Sequence, residues 1–268
     1  SVASPEVVRR FDDLSNIEDL FTYLQFRYNV TLQEGKSVVI FDEVQMAPKA
    51  RQAIKHLVKD GRYHYIETGS LISIRKNVMD IVIPSEETRL QMFPMDYEEF
   101  RWALGDDTTV GLLRQAFLKM RPLGDDIHRQ MMRNFRLYML VGGMPQAVAK
   151  YLETRSLAEV DRVKRNIIAL YGDDFHKFDS SGKAGALFNA IPGQLSKNVS
   201  RYQIGSVLKG EKPGRMLETI SEMNDSFAVN VAYHCDDPNI GMALTQDLEK
   251  YKMYVADTGI FVTLAFWD

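Results

Sequence analysis

The sequence predicts an α/β protein: a parallel sheet with helices packed on it, then a helical region, then a small α+β domain. Three observations predict this. Val38-Val39-Ile40-Phe41 is a short, mostly β-branched apolar run that ends in Asp42-Glu43. That is the pattern of a strand buried on both faces of a parallel sheet, with its polar residues emerging at the carboxyl end. A second short strand, Tyr63 to Glu67, follows one amphipathic helix later, so strand and helix alternate. Toward the carboxyl end, short helical segments give way to the alternating stretch Phe227 to Tyr233 and a further strand around Lys252 to Val255.

The elements follow in order. Ser4-Pro5-Glu6 carries a hydroxyl cap, a first-turn proline and a carboxylate at the positive dipole end, which predicts a helix start. Asn16 opens a second helix, with Ile17, Leu20, Phe21, Leu24 and Tyr28 along one face, and Gly35 breaks it before the apolar strand. Pro48 starts the next helix, Ala50, Ala53, Ile54, Leu57 and Val58 form its stripe, and Gly61 closes it. Thr88 to Met92 reads as a short strand. Asp96 with Glu99 forms a capping box for the helix that Gly105 ends. Leu112 to Met120 and His128 to Leu140 read as two more helices, and Gly142-Gly143-Met144-Pro145 as a corner or a lid segment. Leu157, Val160, Val163, Ile167, Ile168 and Tyr171 line a long helix whose Lys and Arg residues read as a solvated face. Asp173, Asp174 and His176 read as a charged helix end rather than a metal cluster. Short helices then run from Lys183 to Ala190, Gln194 to Asn198 and Tyr202 to Leu208, before one from Arg215 to Asn224. Helices closing on a hairpin suggest a winged helix.

Composition narrows the function classes. With 268 residues and 45% hydrophobic content, the chain can bury a large core and splits into two or three domains. Lys+Arg 33 against Asp+Glu 36 gives a net charge of −3, so nucleic-acid or membrane binding would have to be local. The single cysteine, Cys235, excludes an internal disulfide and any multi-cysteine zinc site. No run is long and apolar enough for a membrane span, and the expected location is the cytoplasm.

The chemistry concentrates at the strand ends. Adjacent carboxylates after a buried strand, as at Asp42-Glu43, suit a Walker B element: the first holds Mg²⁺ through water, and the second orients or deprotonates the attacking water. A strand that simply runs into an acidic turn is the alternative. Thr68-Gly69-Ser70 ends the neighbouring strand, where a small hydroxyl can sense a γ-phosphate. Arg75 and Arg89 are candidate arginine fingers or plain surface arginines.

Five stretches carry a family resemblance: Phe41-Asp42-Glu43-Val44-Gln45, Glu67-Thr68-Gly69-Ser70-Leu71, Phe93-Pro94-Met95-Asp96-Tyr97-Glu98-Glu99-Phe100, Leu140-Val141-Gly142-Gly143-Met144-Pro145 and Tyr254-Val255-Ala256-Asp257-Thr258-Gly259. Together the chain resembles the prokaryotic AAA-type ATPases that carry a C-terminal domain of unknown function. The resemblance implies a partial P-loop (RecA-like) parallel sheet over residues 1–104, a helical lid region over 105–178 and a winged-helix-like domain over 179–268. It implies ATP and Mg²⁺ as cofactors, with Asp42 as metal ligand, Glu43, Thr68 and Ser70 as catalytic residues, and Arg89 in nucleotide binding.

One departure matters. Such an ATPase needs a Gly-x-x-x-x-Gly-Lys-Ser/Thr loop, and no stretch of the sequence has it; Gly35-Lys36-Ser37 lacks the earlier glycine, since that position is Val30. The expectation is a fragment or a degenerate relative of an AAA-type ATPase that hydrolyses little or no ATP by itself. The competing expectation is a non-catalytic protein- or DNA-interaction module. Self-association and DNA binding are further partner expectations. Met216 to Asn224, ahead of the hairpin, carries Glu218 and Glu222 and no Lys or Arg, which argues against groove reading, while Arg201, Lys209, Lys212 and Arg215 form a local basic run.

Overall fold

A computed structural model of the chain describes residues 17–44, 48–69, 88–197, 199–237, 239 and 241–267. The helix start at Ser4-Pro5-Glu6, the cap Asn16, and Ser70 and Arg75 lie outside the described residues. The chain separates into two compact units, residues 1–91 and 92–268.

In the first unit the described elements are α1 (Ile17–Tyr28), β1 (Val38–Phe41), α2 (Pro48–Asp60) and β2 (His64–Glu67). β1 and β2 pair in parallel, with Val38 opposite His64 and Phe41 opposite Glu67. α2 fits its sequence: Ala50, Ala53, Ile54 and Leu57 recur at i, i+3, i+4 and i+7, and all are buried. They pack with Leu20 and Phe21 of α1 and with Phe41 and Val44. Gly61 ends α2 with φ +77°, a conformation a side chain resists.

One expectation is overturned here. β1 is not buried on both faces: Val39 and Phe41 face the helices, while Val38 and Ile40 remain 48% and 60% exposed. Both described helices lie on one side of the strand pair, and an unbroken apolar run does not reveal how many faces are covered.

The second unit is mostly helical. Its elements are α3 (Tyr97–Ala103), α4 (Thr109–Leu118), α5 (Asp125–Val141), α6 (Pro145–Thr154), α7 (Leu157–Phe178), α8 (Lys183–Asn189), α9 (Ile191–Ser196), α10 (Ile204–Val207), α11 (Leu217–Asp225), β3 (Val229–Cys235), β4 (Gln246–Val255) and α12 (Thr258–Ala265), with 3₁₀ turns at Pro213–Arg215 and Met242–Leu244. The capping box of α3 forms as expected: Glu99 N–H donates to Asp96 Oδ1 at 2.8 Å, and Asp96 N–H donates to Glu99 Oε2 at 2.9 Å. Residues 88–92 form no strand, and the helix expected from Gln194 starts earlier, at Ile191, so that Pro192-Gly193 lies inside α9. That placement suits a proline in a first helical turn, where its missing N–H has no partner to lose. β3 and β4 form an antiparallel hairpin, from Val229 opposite Val255, with a register shift between Tyr233 and His234.

α7 is the spine of this unit. Val160 joins the core of Phe100, Val141, Ala147 and Val148, whereas Ile167, Ile168 and Phe175 join a second core with Leu187, Ile220, Tyr251, Met253 and Ile260. Three stretches remote in sequence meet against it. Met95 N–H donates to Gly143 O at 2.8 Å, and Tyr138 Oη donates to Met95 O at 2.9 Å. Asp257, 3% exposed, accepts the N–H of Gly143 and, as the cap of α12, the N–H of Ile260 at 2.8 Å. Lys164 corrects the solvated-face reading of α7: it is buried, and its Nζ donates to Leu140 O at 2.7 Å and Gly259 O at 3.2 Å. Burial pushes the Asp257 carboxyl above its ordinary value and the Lys164 ammonium below its own, the first moderated in part by the Lys164 charge and the second by the charges of Asp161 and Asp257. No helix among the described residues is long and apolar enough to cross a membrane.

Candidate functional site

Parallel pairing puts the carboxyl ends of β1 and β2 at one edge of the first unit, so Asp42 and Glu43 come beside Thr68. Backbone bonds hold the two ends together: Thr68 N–H donates to Phe41 O at 3.0 Å, and Val44 N–H donates to Thr68 O at 3.0 Å. The Thr68 hydroxyl then acts in both directions. It donates to Asp42 Oδ1 at 2.6 Å and accepts the Glu43 N–H at 3.3 Å. Asp42, Glu43 and Thr68 are exposed, while the neighbouring Val44 is buried.

Glu43 has φ +57°, in the left-handed region. A glutamate there is uncommon and costs roughly 1 kcal/mol or more, which glycine would avoid. The local cause is geometric. The chain must turn between exposed Asp42 and buried Val44 while Val44 N–H returns to Thr68 O, and Glu43 takes up the reversal. Behind this edge, buried Arg51 of α2 places Nε 3.8 Å from Glu67 Oε2 and ties the helix to the end of β2.

Among the described residues no group of three or more His, Cys, Asp or Glu gathers into a metal cage. Mg²⁺ needs no such cage: one or two exposed carboxylates can be the protein's share of its ligands, because that ion keeps several waters and takes its remaining oxygens from phosphates. The donor set therefore fits Mg²⁺. Gly35-Lys36-Ser37 does not fit a phosphate cradle. Its three backbone N–H groups already donate within the fold, Gly35 to Arg62 O at 2.8 Å, Lys36 to Gln33 O at 3.1 Å and Ser37 to Gln33 O at 2.9 Å.

The structure thus brings together Asp42, Glu43 and Thr68 of the residues singled out in the sequence. Ser70 is outside the described residues, and Arg89 stands in an exposed stretch without regular structure. His128 is exposed on α5, and Asp173, Asp174 and His176 occupy the last turns of α7, where Asp174 pairs with Lys177. Two buried charges escaped the sequence reading, Arg51 and Lys164. The signal for Lys164 was available: it falls four residues after Val160 and three before Ile167, inside the apolar stripe.

Comparison with known families finds two matches. Residues 6–101 match an AAA domain, and residues 132–268 match a domain of unknown function, DUF8612. No curated protein and no solved structure matches the chain.

Proposed function

Because the chain belongs to the DUF8612 family and carries an AAA domain ahead of that region, we propose that its first unit supplies the acidic, water-activating side of an ATP hydrolysis site. The AAA domain gives an ATPase-related function and a nucleotide partner. The observation that carries the finer reading is the Asp42–Thr68 pair with Glu43 held in a left-handed turn beside it. A strained carboxylate that glycine would accommodate more cheaply has a reason to be there if its side chain does chemistry.

In this reading Asp42 would hold Mg²⁺ through water, and the ion would supply neutralisation of charge on the phosphate oxygens. Glu43 orients the attacking water and accepts its proton. Thr68 fixes the orientation of Asp42, which makes it a positioning residue, and Ser70 is the better candidate for sensing the γ-phosphate. Arg89 is proposed as a nucleotide-binding arginine. The 268 residues hold no Gly-x-x-x-x-Gly-Lys-Ser/Thr stretch, and we expect little turnover from them alone. We divide the chain into a nucleotide core over 1–104, a helical lid region over 105–178 and a winged-helix-like domain over 179–268. The last is supported by α8, α10 and α11 followed by the β3–β4 hairpin.

The test is ATP hydrolysis and ATP binding by the full-length protein carrying Glu43→Gln or Glu43→Gly. Both variants are expected to lose turnover at least tenfold while binding nucleotide. Glu43→Gly is also expected to raise stability by about 1 kcal/mol as the left-handed turn relaxes. Unchanged turnover in either variant would remove Glu43 from the chemistry.

A further inference from the structure

The hairpin of the second unit has two different faces. Tyr251 and Met253 of β4 turn inward and are buried, so Lys252 and Tyr254 turn outward, opposite the exposed Ala232 and Asn230 of β3. The chain just before α10 runs along the free edge of β4: Tyr202 N–H donates to Tyr251 O at 2.7 Å, and the two rings stack with centroids 6.2 Å apart. Arg201, the exposed residue just before buried Tyr202, comes beside Lys252 at this edge. Arg201, Lys252 and Lys197 line one small cavity at this edge, and among the described residues that line it none is Asp or Glu.

Lys183 is paired with Glu211 and Lys250 with Asp247, whereas Lys197, Arg201 and Lys252 form no ion pair with a described carboxylate. Three cations on one cavity, none paired with a described carboxylate, give a locally positive surface in a chain whose net charge is −3. Tyr254, 40% exposed, presents a ring on the same face, about 7 Å along the strand from Lys252. Cations beside an open aromatic ring match the chemistry of a phosphodiester backbone with unstacked bases. Duplex groove reading is disfavoured, because α11, the helix ahead of the hairpin, carries Glu218, Glu222 and Asp225 and no Lys or Arg.

We propose that this outer face of the hairpin binds single-stranded nucleic acid, with Lys197, Arg201 and Lys252 on phosphates and Tyr254 stacked on a base. The basic run legible in the sequence is thereby regrouped: Arg201 acts with Lys197 and Lys252 rather than with Lys209, Lys212 and Arg215. The proposal is independent of ATP hydrolysis, and its test contains no nucleotide triphosphate.

The experiment measures fluorescence anisotropy of a labelled strand of about 20 nucleotides and of the matching duplex, titrated with the protein between about 50 and 200 mM salt. The single strand is expected to bind more tightly than the duplex. The triple variant Lys197→Gln, Arg201→Gln, Lys252→Gln is expected to lose about tenfold or more in affinity and to lower the salt slope by about two. Tyr254→Ala is expected to lose about fivefold or more, with Tyr254→Phe retaining affinity. The charge-keeping variant Lys197→Arg, Arg201→Lys, Lys252→Arg should bind like the parent. A control that removes three exposed cations of the first unit, Arg27→Gln, Lys55→Gln, Lys59→Gln, should stay within about twofold. The proposal is overturned by any of four results: no binding at the lowest salt, tighter binding of the duplex, equal loss in the control, or loss of binding in the charge-keeping variant.

Discussion

Gly143→Ala is expected to destabilise the second unit by about 3 kcal/mol or more, seen as a fall in Tm of roughly 6 to 12 °C. A Cβ at this position would lie 2.0 Å from Met95 O and 2.7 Å from Met95 N. Those are backbone atoms, and they are fixed in place. Met95 N–H donates to Gly143 O, Met95 O accepts from Tyr138, and Gly143 N–H is bound to the buried Asp257. No side chain can swing aside to admit the methyl group, so relief requires that the contact between the stretch before α3 and the α5–α6 corner open. Gly172→Ala is the internal comparison. It lies within α7 with nothing inside 4 Å of the added Cβ, and it is expected to stabilise by about 0.5 to 1 kcal/mol through the lost flexibility of the unfolded chain. Thermal unfolding of the two variants beside the parent decides the matter: a Tm for Gly143→Ala within a degree of the parent would mean that the corner is not the rigid junction its geometry describes.

Asp257→Ala is expected to cost about 3 to 5 kcal/mol, because it leaves two buried N–H donors without an acceptor and removes one of the two carboxylates, with Asp161, whose charge offsets that of buried Lys164. The same reasoning makes the two positions non-additive. Lys164→Met alone loses two hydrogen bonds and leaves the carboxylate uncompensated, whereas the double variant Lys164→Met, Asp257→Asn removes both charges together. A double-mutant cycle in denaturant is expected to give a coupling of about 1 to 3 kcal/mol, and strict additivity would show that the two charges do not sense one another.

The pH dependence has a definite sign. Burial raises the Asp257 pKa, so the native state holds that proton more tightly than the unfolded chain does. The carboxyl's contribution to stability is therefore greatest below the ordinary carboxylate range and declines as the pH rises through that range toward the raised value. For Lys164 the pKa is lowered, and its contribution is greatest above the ordinary lysine range and declines as the pH falls. The cost of Asp257→Asn is accordingly expected to be larger at about pH 4 than at about pH 7. A cost that shrinks on acidification would contradict the direction of the shift.

Much of the local structure was legible in the sequence, for reasons that act over a few residues. The α2 stripe, the Asp96–Glu99 capping box, Pro145 at the start of α6 and Gly61 at the end of α2 depend on periodicity, a side chain reaching three residues, or a backbone torsion. The pairing of Asp42 with Thr68 was half legible. Their positions after two strands one helix apart predicted a shared edge, but the hydroxyl's commitment to Asp42 required the parallel register to be known. The charges on α7 misled because composition counts a lysine as solvated wherever it stands, while helical phase places Lys164 among Val160, Ile167 and Ile168.

By itself the sequence determined the alternation of strand and helix, the acidic pair after β1, and the glycine-bearing turns, since propensity, capping and turn chemistry are properties of neighbours in the chain. Only the tertiary structure decided that β1 is covered on one face, that Glu43 sits in a left-handed turn, and that Met95, Gly143, Lys164 and Asp257 form one buried junction. Those outcomes depend on contacts across as many as 114 residues. At that separation burial and hydrogen bonding are set by which elements happen to pack together, a relation that no local pattern of residues encodes.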